Sequence, residues 1–482
     1  MIRWQNLLRT VGFFVLALTG TLALTTLCAL LLGTSDIAPL VSATITAGGL
    51  GGFLVLAFRS APREISHREG ILLVLITWLA FSVLGALPFY FSGYFGGFTD
   101  SFFESMSGFT TTGATILEDI EAVPRGLLLW RALTQWIGGM GIILLGIAIL
   151  PLIGTGGMEL YRSEFSGAKS EKLAPRVAET ALALWKLYVA FSLVEFVALR
   201  WAGMDTFEAA CHTFSTMATG GFSTRNSSIE AFASPTIEAI IIFFMLIAGT
   251  SFIRHYRLVV ERRPGAFFGD QEIQFYFALL AGGTLAIATG LTFNSHEPLE
   301  AGRVALFQAV SIMTGTGFSS ANFGLWGPFA QFLLLALMFV GGCTGSTTGG
   351  LKVARLFLLF RVVAREFRRM VERRGVFAVR LNGKAVSENT IQSLLNLVYI
   401  AFLIIFSGCM TLTALGVDVL TAISAVAASM FNIGPGLGGV GPAENYAHMP
   451  VLAKWVLSFC MLAGRLEFYT VLIVFTRAFW RK

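Results

Sequence analysis

The chain has 482 residues, of which 55% are hydrophobic and only 13% are charged, and its formal net charge is +6. A soluble domain has about a quarter of its residues charged, so this chain lacks the polar surface of a soluble protein. The composition predicts an integral membrane protein and excludes disordered, collagen-like and disulfide-stabilised chains, while the unbroken apolar runs argue against an outer-membrane barrel.

Ten segments are long and apolar enough to cross a membrane as helices, which takes about 20 residues each. They are 11–32, 39–58, 71–92, 127–153, 180–203, 235–253, 273–293, 328–360, 391–415 and 450–476. The first is longer than the apolar part of a signal peptide and no clear cleavage site follows it, so we interpret it as a helix of the mature protein.

Basic residues are concentrated at both ends of the chain and in alternate loops, at 59–68, 162–176, 254–263 and 352–384. Short loops rich in Lys and Arg stay on the cytoplasmic side of a membrane. This pattern predicts that both termini are cytoplasmic and that the number of spans is even. The basic residues behind the net charge of +6 are thus placed as membrane topology requires. We therefore expect no nucleic acid partner.

Four further segments are apolar but too short to cross, and each leads into Gly, Thr and Ser. They are 103–117 (FESMSGFTTTGATIL), 211–225 (CHTFSTMATGGFSTR), 307–321 (FQAVSIMTGTGFSSA) and 424–438 (SAVAASMFNIGPGLG). Stacked without gaps, they align Phe109, Met217, Met313 and Met430, and then Gly113, Gly221, Gly317 and Gly434. Such segments are typical of re-entrant loops.

The aligned glycines lie 96 to 117 residues apart, which indicates a fourfold internal repeat. The sequence therefore predicts an all-α membrane protein with an N-terminal helix pair and four pseudo-symmetric units of helix, re-entrant pore loop and helix around one ion pathway. The predicted boundaries are 1–69 for the helix pair and 70–165, 166–268, 269–385 and 386–482 for the four units.

The repeated loop has a chemistry suited to a cation. A short helix before each Gly/Thr stretch would direct its partially negative C-terminus into the membrane. The shared glycine permits a positive φ, which lets successive carbonyl oxygens turn to one side. A ring of carbonyls can replace the hydration shell of an ion, and a lining without carboxylates suits a monovalent cation better than calcium. Tight turns or close helix packing are the alternative explanation for these glycines.

The segment 341–350 (GGCTGSTTGG) interrupts an apolar run and is too poor in helix formers to be a stable lipid-exposed helix. We expect it to line a wet cavity or to be buried in protein, although a simple helix break is the alternative. Arg465 and Glu467 lie in the last apolar segment, where charges are costly and normally face a cavity or a partner. An ion pair between these two side chains is one expectation for them.

The four loops, the interrupted segment and Arg465 resemble the Trk/Ktr/HKT superfamily of potassium transporters over essentially the whole chain. The extra N-terminal helix pair makes the chain most similar to the bacterial TrkH subunits. The resemblance implies potassium uptake across the bacterial inner membrane through a carbonyl-lined filter. It implies as filter residues Thr110, Thr111, Thr112, Gly113, Ala218, Thr219, Gly220, Gly221, Thr314, Gly315, Thr316, Gly317, Asn432, Ile433 and Gly434. In loop four, Pro435 follows the glycine and Gly436 competes for the alignment.

The resemblance also implies a gate, for which the residues are Gly341, Gly342, Thr344, Gly345, Ser346, Thr347, Thr348, Gly349, Gly350 and Arg465. Arg465 corresponds to the family's basic residue below the filter, which opposes cation passage. The implied partners are a second copy in a homodimer, membrane lipid, and a cytosolic nucleotide-binding regulatory ring of the TrkA type. The basic stretch 361–374 can bind lipid headgroups or that ring. Potassium is the expected ligand, and we expect no nucleotide to bind this chain.

Two other classes of function remain open. The first is a secondary potassium symporter coupled to sodium or protons through Asp or Glu residues. The second is a membrane enzyme acting on a lipid, which would need a cluster of His, Asp or Glu, whereas the five histidines of this chain are isolated. Loop carboxylates, among them Asp100, Glu104 and Glu208, either raise the local cation concentration or are simply solvated.

Overall fold

The computed structural model describes residues 2–61, 66–148, 173–293 and 297–481. The end of the predicted span 127–153 and the basic segment 162–172 lie outside these residues. The described part is mostly helical, and it contains one two-stranded antiparallel hairpin.

The first two helices, α1 (Trp4–Leu32) and α2 (Ile37–Ala57), form the expected N-terminal pair. They pack closely because small residues lie at their contact. A Cβ added to Gly12 would lie 2.9 Å from the Cβ of Leu54, and one added to Gly51 would lie 3.1 Å from Leu16. Their outer faces expose large apolar side chains, as is expected of helices in contact with lipid.

The remaining elements follow in chain order. The helices are α3 (His67–Ser92), α4 (Phe98–Phe109), α5 (Arg125–Ala148), α6 (Leu173–Trp201), α7 (Thr206–Met217), α8 (Pro235–Gly249), α9 (Phe252–Val259), α10 (Gly265–Phe268), α11 (Gln271–Phe293), α12 (Pro298–Met313), α13 (Pro328–Met338), α14 (Val353–Val371), α15 (Glu388–Ala414), α16 (Val419–Met430), α17 (Val451–Arg465), α18 (Phe468–Leu472) and α19 (Arg477–Trp480). The strands are β1 (Arg380–Leu381) and β2 (Lys384–Ala385), and short 3-10 turns occur at Ser228–Phe232, Phe323–Leu325, Gly438–Val440 and Ile473–Phe475.

Six of the described helices are individually long and apolar enough to cross a membrane, and two bent pairs reach that length together. The spans predicted at 235–253 and 450–476 are therefore wrong as continuous helices. Helix α9 turns by 103° from α8, and the α18 segment turns by 116° from α17. At the second break Glu467 has φ 64°, so Arg465 ends one helix and Glu467 precedes the next.

Acidic and hydroxyl side chains cap several helix N-termini, where backbone N–H groups lack partners within the helix. Ser66 and Glu69 form a capping box on α3. Asp205 caps α7 and Asp418 caps α16. Hydrogen bonds from Thr421 hold the pKa of Asp418 below its usual range. These caps place the start of the short helices at fixed positions.

The hairpin β1–β2 was not predicted. It turns at Asn382 and Gly383, whose φ values are 49° and 79°, and it pairs Leu381 with Lys384. Asn-Gly is the preferred pair for a two-residue hairpin turn with two positive φ values. Val379 and Leu381 pack against apolar side chains of α14 and α15, which attaches the hairpin to the helices.

Candidate functional site

Each of the four aligned segments forms a short helix that ends at the aligned position. Helices α4, α7, α12 and α16 end at Phe109, Met217, Met313 and Met430. The same turn follows each helix: the Thr112 N–H donates to the Ser107 carbonyl at 2.8 Å. The equivalent bonds join Gly220 to Ser215, Thr316 to Ser311 and Ile433 to Ala428 at 2.8 to 2.9 Å. We call residues 110–113, 218–221, 314–317 and 431–434 the glycine loops 1 to 4.

Two positions in every glycine loop have a left-handed backbone. The aligned glycines Gly113, Gly221, Gly317 and Gly434 have φ between 76° and 97°. The residues two positions earlier, Thr111, Thr219, Gly315 and Asn432, have φ between 52° and 68°. Alternating handedness turns successive carbonyl groups to the same side of a chain. In loop 4 the pattern occurs at Gly434 and not at Gly436, in agreement with the alignment at Gly434.

The four glycine loops contact one another in a closed ring. A side chain at Gly113 would collide with the Gly220 carbonyl, one at Gly221 with Thr316, one at Gly317 with Ile433, and one at Gly434 with Thr112. The Asn432 Nδ2 also donates to the Thr112 Oγ1 at 2.9 Å, which joins loop 4 to loop 1. Each loop therefore touches the next one along the chain, and the last touches the first.

All four aligned glycines line one cavity. Its wall also includes the carboxylates Glu118 and Glu444 and the ring of Tyr446. The Tyr446 hydroxyl donates to the Gly434 carbonyl at 2.8 Å. Most of the other predicted loop residues are fully buried: Thr110, Thr111, Thr112, Ala218, Thr219, Thr314, Thr316, Asn432 and Ile433 are at most 1% exposed.

A buried ion pair supports glycine loops 1 and 2. The Arg131 Nε lies 2.6 Å from the Glu104 Oε1, and the two residues are 2% and 0% exposed. Glu104 also accepts from the Ile116 N–H at 2.9 Å, beyond loop 1. Arg131 donates to the Ser223 carbonyl at 2.9 Å, beyond loop 2. The interpretation of Glu104 as a carboxylate of the outer mouth is therefore wrong, because its charge is paired inside the protein.

Equivalent supports occur in the other loops, although they use different side chains. The Gln135 Nε2 donates to the Gly220 carbonyl at 2.7 Å, so this predicted carbonyl ligand is also bonded to α5. The Ser311 hydroxyl donates to the Phe318 carbonyl at 2.6 Å, and Ser424 accepts from the Leu437 N–H at 2.9 Å. Glu104, Ser311 and Ser424, which belong to the short helices, thus fix the chain just after Gly113, Gly317 and Gly434.

The segment 341–350 lies against the glycine loops. The Thr219 hydroxyl of loop 2 lies 3.3 Å from the Thr347 hydroxyl. A side chain at Gly349 would collide with the Phe431 carbonyl of loop 4. The segment also bonds to the break between α8 and α9, where the Cys343 N–H donates to the Gly249 carbonyl at 2.9 Å. Most of the segment is buried in protein, which is one of the two environments expected from its sequence.

Arg465 lies at the same level and is 3% exposed. It donates to the Thr347 carbonyl at 2.6 Å and to the Gly138 carbonyl at 3.2 Å. Glu467 instead pairs with Arg355 at 2.7 Å. The expected pair of Arg465 with Glu467 is therefore wrong, because the helix break directs the two side chains to different partners.

Within the described residues, no group of three or more His, Cys, Asp or Glu side chains could hold a metal ion. Arg131, Gln135 and the supporting role of Glu104 were not predicted from the sequence. A signal for Glu104 was present, since it aligns with His212 and Gln308, which are also buried and polar.

The family model TrkH, described as a cation transport protein, matches residues 41–482. The chain belongs to the TrkH family of cation transport proteins. It is 39% identical to the Trk system potassium uptake protein TrkH of Escherichia coli K12, over 99% of this chain and 100% of that protein. The TrkH of Halomonas elongata is 40% identical over 99% of each chain. The crystal structure of the potassium transporter TrkH from Vibrio parahaemolyticus matches with a TM-score of 0.92 and 36% identity, covering 100% of both chains.

Membership of this family confirms the recognition made from the loops and shows a multi-pass membrane protein of cation transport. A transport family argues against the lipid-modifying enzyme. The orientation of the termini and the boundaries of the four units stay predictions.

Proposed function

We propose that this chain is the pore-forming subunit of a Trk-type system that takes up potassium across the bacterial inner membrane. The observation that carries the proposal is the closed ring of four glycine loops, whose aligned glycines have positive φ and line a single cavity. Relatives at 39% and 40% identity are named potassium uptake proteins. The predicted repeat, with its four units around one pathway, is part of this proposal.

In this proposal the carbonyl oxygens of the glycine loops form the filter and replace the water around a potassium ion. The loops offer backbone carbonyls and threonine hydroxyls, and the ion pair that supports loops 1 and 2, Glu104 with Arg131, is neutral as a pair. A neutral oxygen lining favours a weakly hydrated monovalent ion over a divalent one. Potassium is thus the transported substrate, bound in passing by the filter residues named from the sequence.

The segment 341–350 and Arg465 form the gate. All four predicted units meet there, because Thr347 of the third unit contacts Ala248 of the second, Arg465 of the fourth and, through Arg465, Gly138 of the first. A fixed cation beneath the filter raises the electrostatic barrier for potassium, and the segment narrows the path. Passage requires that both move aside.

Assembly completes the proposal. A Trk-type pore works with other Trk components, so we infer a cytosolic nucleotide-binding ring of the TrkA type, a homodimer and contacts with membrane lipid. In this assembly the ring binds the nucleotide, and this chain binds none. Both termini are cytoplasmic in this arrangement, and the units keep the boundaries given from the sequence.

Replacing Gly317 with Ser is expected to lower potassium over sodium selectivity towards unity. A side chain there would collide with the Ile433 carbonyl of loop 4, and Gly317 has φ 79°. Holding a serine in this backbone conformation costs about 1–3 kcal/mol of free energy. We expect the loop to relieve this strain by a shift of its backbone, which displaces the carbonyl oxygens. Competition of sodium with rubidium uptake in proteoliposomes measures the change.

The matched control for this test is Gly302→Ser on α12, the short helix that precedes the same loop. No atom lies within 4 Å of a side chain added at Gly302, so its selectivity should equal that of the wild type. Wild-type selectivity in the Gly317 variant would refute the assignment of the filter.

A coupled symporter is the second candidate, and one buried group favours it. Glu195 of α6 is 0% exposed, and in the described part of the chain no basic side chain pairs with its carboxyl group. Carboxyl groups inside membrane helices are typical of proton relays. The test is rubidium flux in the wild type and in Glu195→Gln. Proton coupling through this residue is excluded if the flux follows the potassium gradient alone and is the same in both proteins.

A further inference from the structure

One carboxyl oxygen ties the segment 341–350 to the first turn of α11. The Glu272 Oε1 accepts from the Thr344 N–H at 2.5 Å and from the Ala354 N–H at 3.2 Å. Thr344 lies near the start of the segment, and Ala354 lies in the first turn of α14, just after its end. Because hydrogen bonds to a carboxylate are stronger than those between neutral groups, Glu272 holds both ends in place.

The residue two positions before Glu272 is held by two other elements. The Asp270 Oδ2 lies 2.5 Å from a guanidinium nitrogen of Arg254 on α9. The same oxygen accepts from the Asn382 Nδ2 at 3.0 Å. Asp270 is 5% exposed, so these contacts are shielded from solvent. The first turn of α11 is thus attached both to α9 and to the hairpin.

The tip of the hairpin fits the N-terminus of α11. The Asn382 Oδ1 accepts from the Gln271 N–H at 2.9 Å, a helix N–H that has no partner within the helix. In return the Asn382 N–H donates to the Gln271 Oε1 at 3.0 Å. Asn382 itself is exposed. A displacement of the exposed tip must therefore move the turn or break several polar contacts.

Helix α9 touches the segment directly as well. The Phe252 N–H at its start donates to the Gly345 carbonyl at 3.0 Å. Arg254 on the same helix is the partner of Asp270. Residues 270–272 are therefore the meeting point of three elements. They bond to the hairpin, to α9, and to Thr344 and Ala354 on either side of the rest of the segment.

We propose that residues 270–272 form a coupling turn that keeps the segment 341–350 closed and transmits movement of the hairpin tip to it. Glu272 is the positioning residue of the gate, and Asn382 is the contact through which the tip acts. This inference rests on the gate described under the proposed function. It adds the element that sets the position of the gate.

The native thiol of Cys343 reports the position of the segment, because Cys343 is fully buried within it. We expect Glu272→Ala to raise the rate of Cys343 alkylation by N-ethylmaleimide about tenfold, which corresponds to about 1.4 kcal/mol. Mass spectrometry of the full-length protein in proteoliposomes resolves each cysteine. Cys460, buried in α17, is the internal control and should keep its rate.

Two further variants separate positioning from a general loss of structure. Glu272→Gln keeps an oxygen acceptor and should restore most of the protection. Gln274 lies on the same helix at an exposed position, and its side chain donates to the Phe268 carbonyl. In Gln274→Ala the labelling rate of Cys343 should therefore equal that of the wild type. Faster labelling of both Cys343 and Cys460 in Glu272→Ala would show unfolding and overturn the proposal.

The hairpin contact is tested with Asn382→Gly. Glycine keeps the positive φ of the turn but removes the side-chain bonds to Gln271 and Asp270. Labelling of Cys343 should again rise while that of Cys460 stays constant. A wild-type rate at Cys343 in this variant would overturn transmission from the hairpin.

The labelling result does not depend on the nature of the transported ion. If the pore assignment fails, Gly317→Ser keeps its selectivity while Glu272→Ala still exposes Cys343. If the coupling turn fails, Cys343 keeps its wild-type rate in Glu272→Ala, whatever the selectivity of the Gly317 variant. The two failures are therefore distinguishable.

Discussion

Replacing Arg131 with Met is expected to lower the free energy of unfolding by about 3–5 kcal/mol and to abolish rubidium uptake. The change removes the cation that lies 2.6 Å from the Glu104 carboxylate. Glu104 is 0% exposed, so it would be left as an uncompensated charge in a site of low polarity. The variant also loses the bond to the Ser223 carbonyl beyond loop 2. Thermal unfolding in detergent and uptake by proteoliposomes measure the two effects.

A double variant separates stability from support of the loops. In Glu104→Gln with Arg131→Met neither position of the former pair carries a charge, so most of the lost stability should return. Uptake should stay low, because the link between glycine loops 1 and 2 is still absent. Recovery of uptake together with stability would show that the pair serves folding alone.

The control is the ion pair of Arg369 with Glu366 on α14. The Arg369 Nη1 lies 3.2 Å from the Glu366 Oε1, and about half of each side chain is exposed. Arg369→Ala should change the free energy of unfolding by less than about 1 kcal/mol, since exposed ion pairs contribute little. If Arg131→Met is as stable as Arg369→Ala and takes up rubidium normally, the support role assigned to the buried pair is wrong.

The glycine loops could be found from the sequence because their pattern is local and repeated. A short apolar helix, its end and the residues of the following turn lie within about fifteen consecutive positions, and four copies constrain one another. The structure ends all four helices at the aligned Phe109, Met217, Met313 and Met430. Even the ambiguous fourth loop follows the alignment, because positive φ occurs at Gly434.

The helix breaks could not be located from the sequence, because the apolar composition continues through them. Helix α8 ends before Thr250, and the next helix begins where the Phe252 N–H bonds to the distant Gly345 carbonyl. At the other break, Glu467 bonds to Arg355, which is 112 residues away. Partners in other parts of the chain decide where these helices stop, and hydropathy carries no information about them.

Buried charge was equally hidden. Asp100 and Glu104 lie one helical turn apart in the same short helix, yet Asp100 stays 28% exposed and pairs with the buried Lys454, while Glu104 is fully enclosed. Which face of the helix turns inward depends on how the four short helices and their glycine loops pack together. The hairpin at Asn382 and Gly383 is different, since its turn sequence is a local signal and could have been predicted.

Deletion of residues 344–348 is expected to raise rubidium flux at least about tenfold, since a closed state typically leaves its open counterpart populated at about 0.1–10%. The deletion removes the Thr347 contacts with Ala248, Thr219 and Arg465. It shortens the part of the chain that lies against the glycine loops. Initial rates of uptake in proteoliposomes, corrected for the amount of folded protein, give the change.

Selectivity for potassium over sodium should not change in this deletion, because the carbonyls of the glycine loops are untouched. The control is Thr347→Val, which keeps the volume and backbone of the segment but removes the hydroxyl bonds to Ala248 and Thr219. Its flux should stay close to that of the wild type, since a barrier made by backbone and by the Arg465 charge does not need that hydroxyl.

Unchanged or lower flux in the deletion, with protein that remains monodisperse, would contradict the assignment of this segment as the gate. A rise in flux together with loss of selectivity would instead show that the segment supports the filter, since Gly349 lies against the Phe431 carbonyl of loop 4.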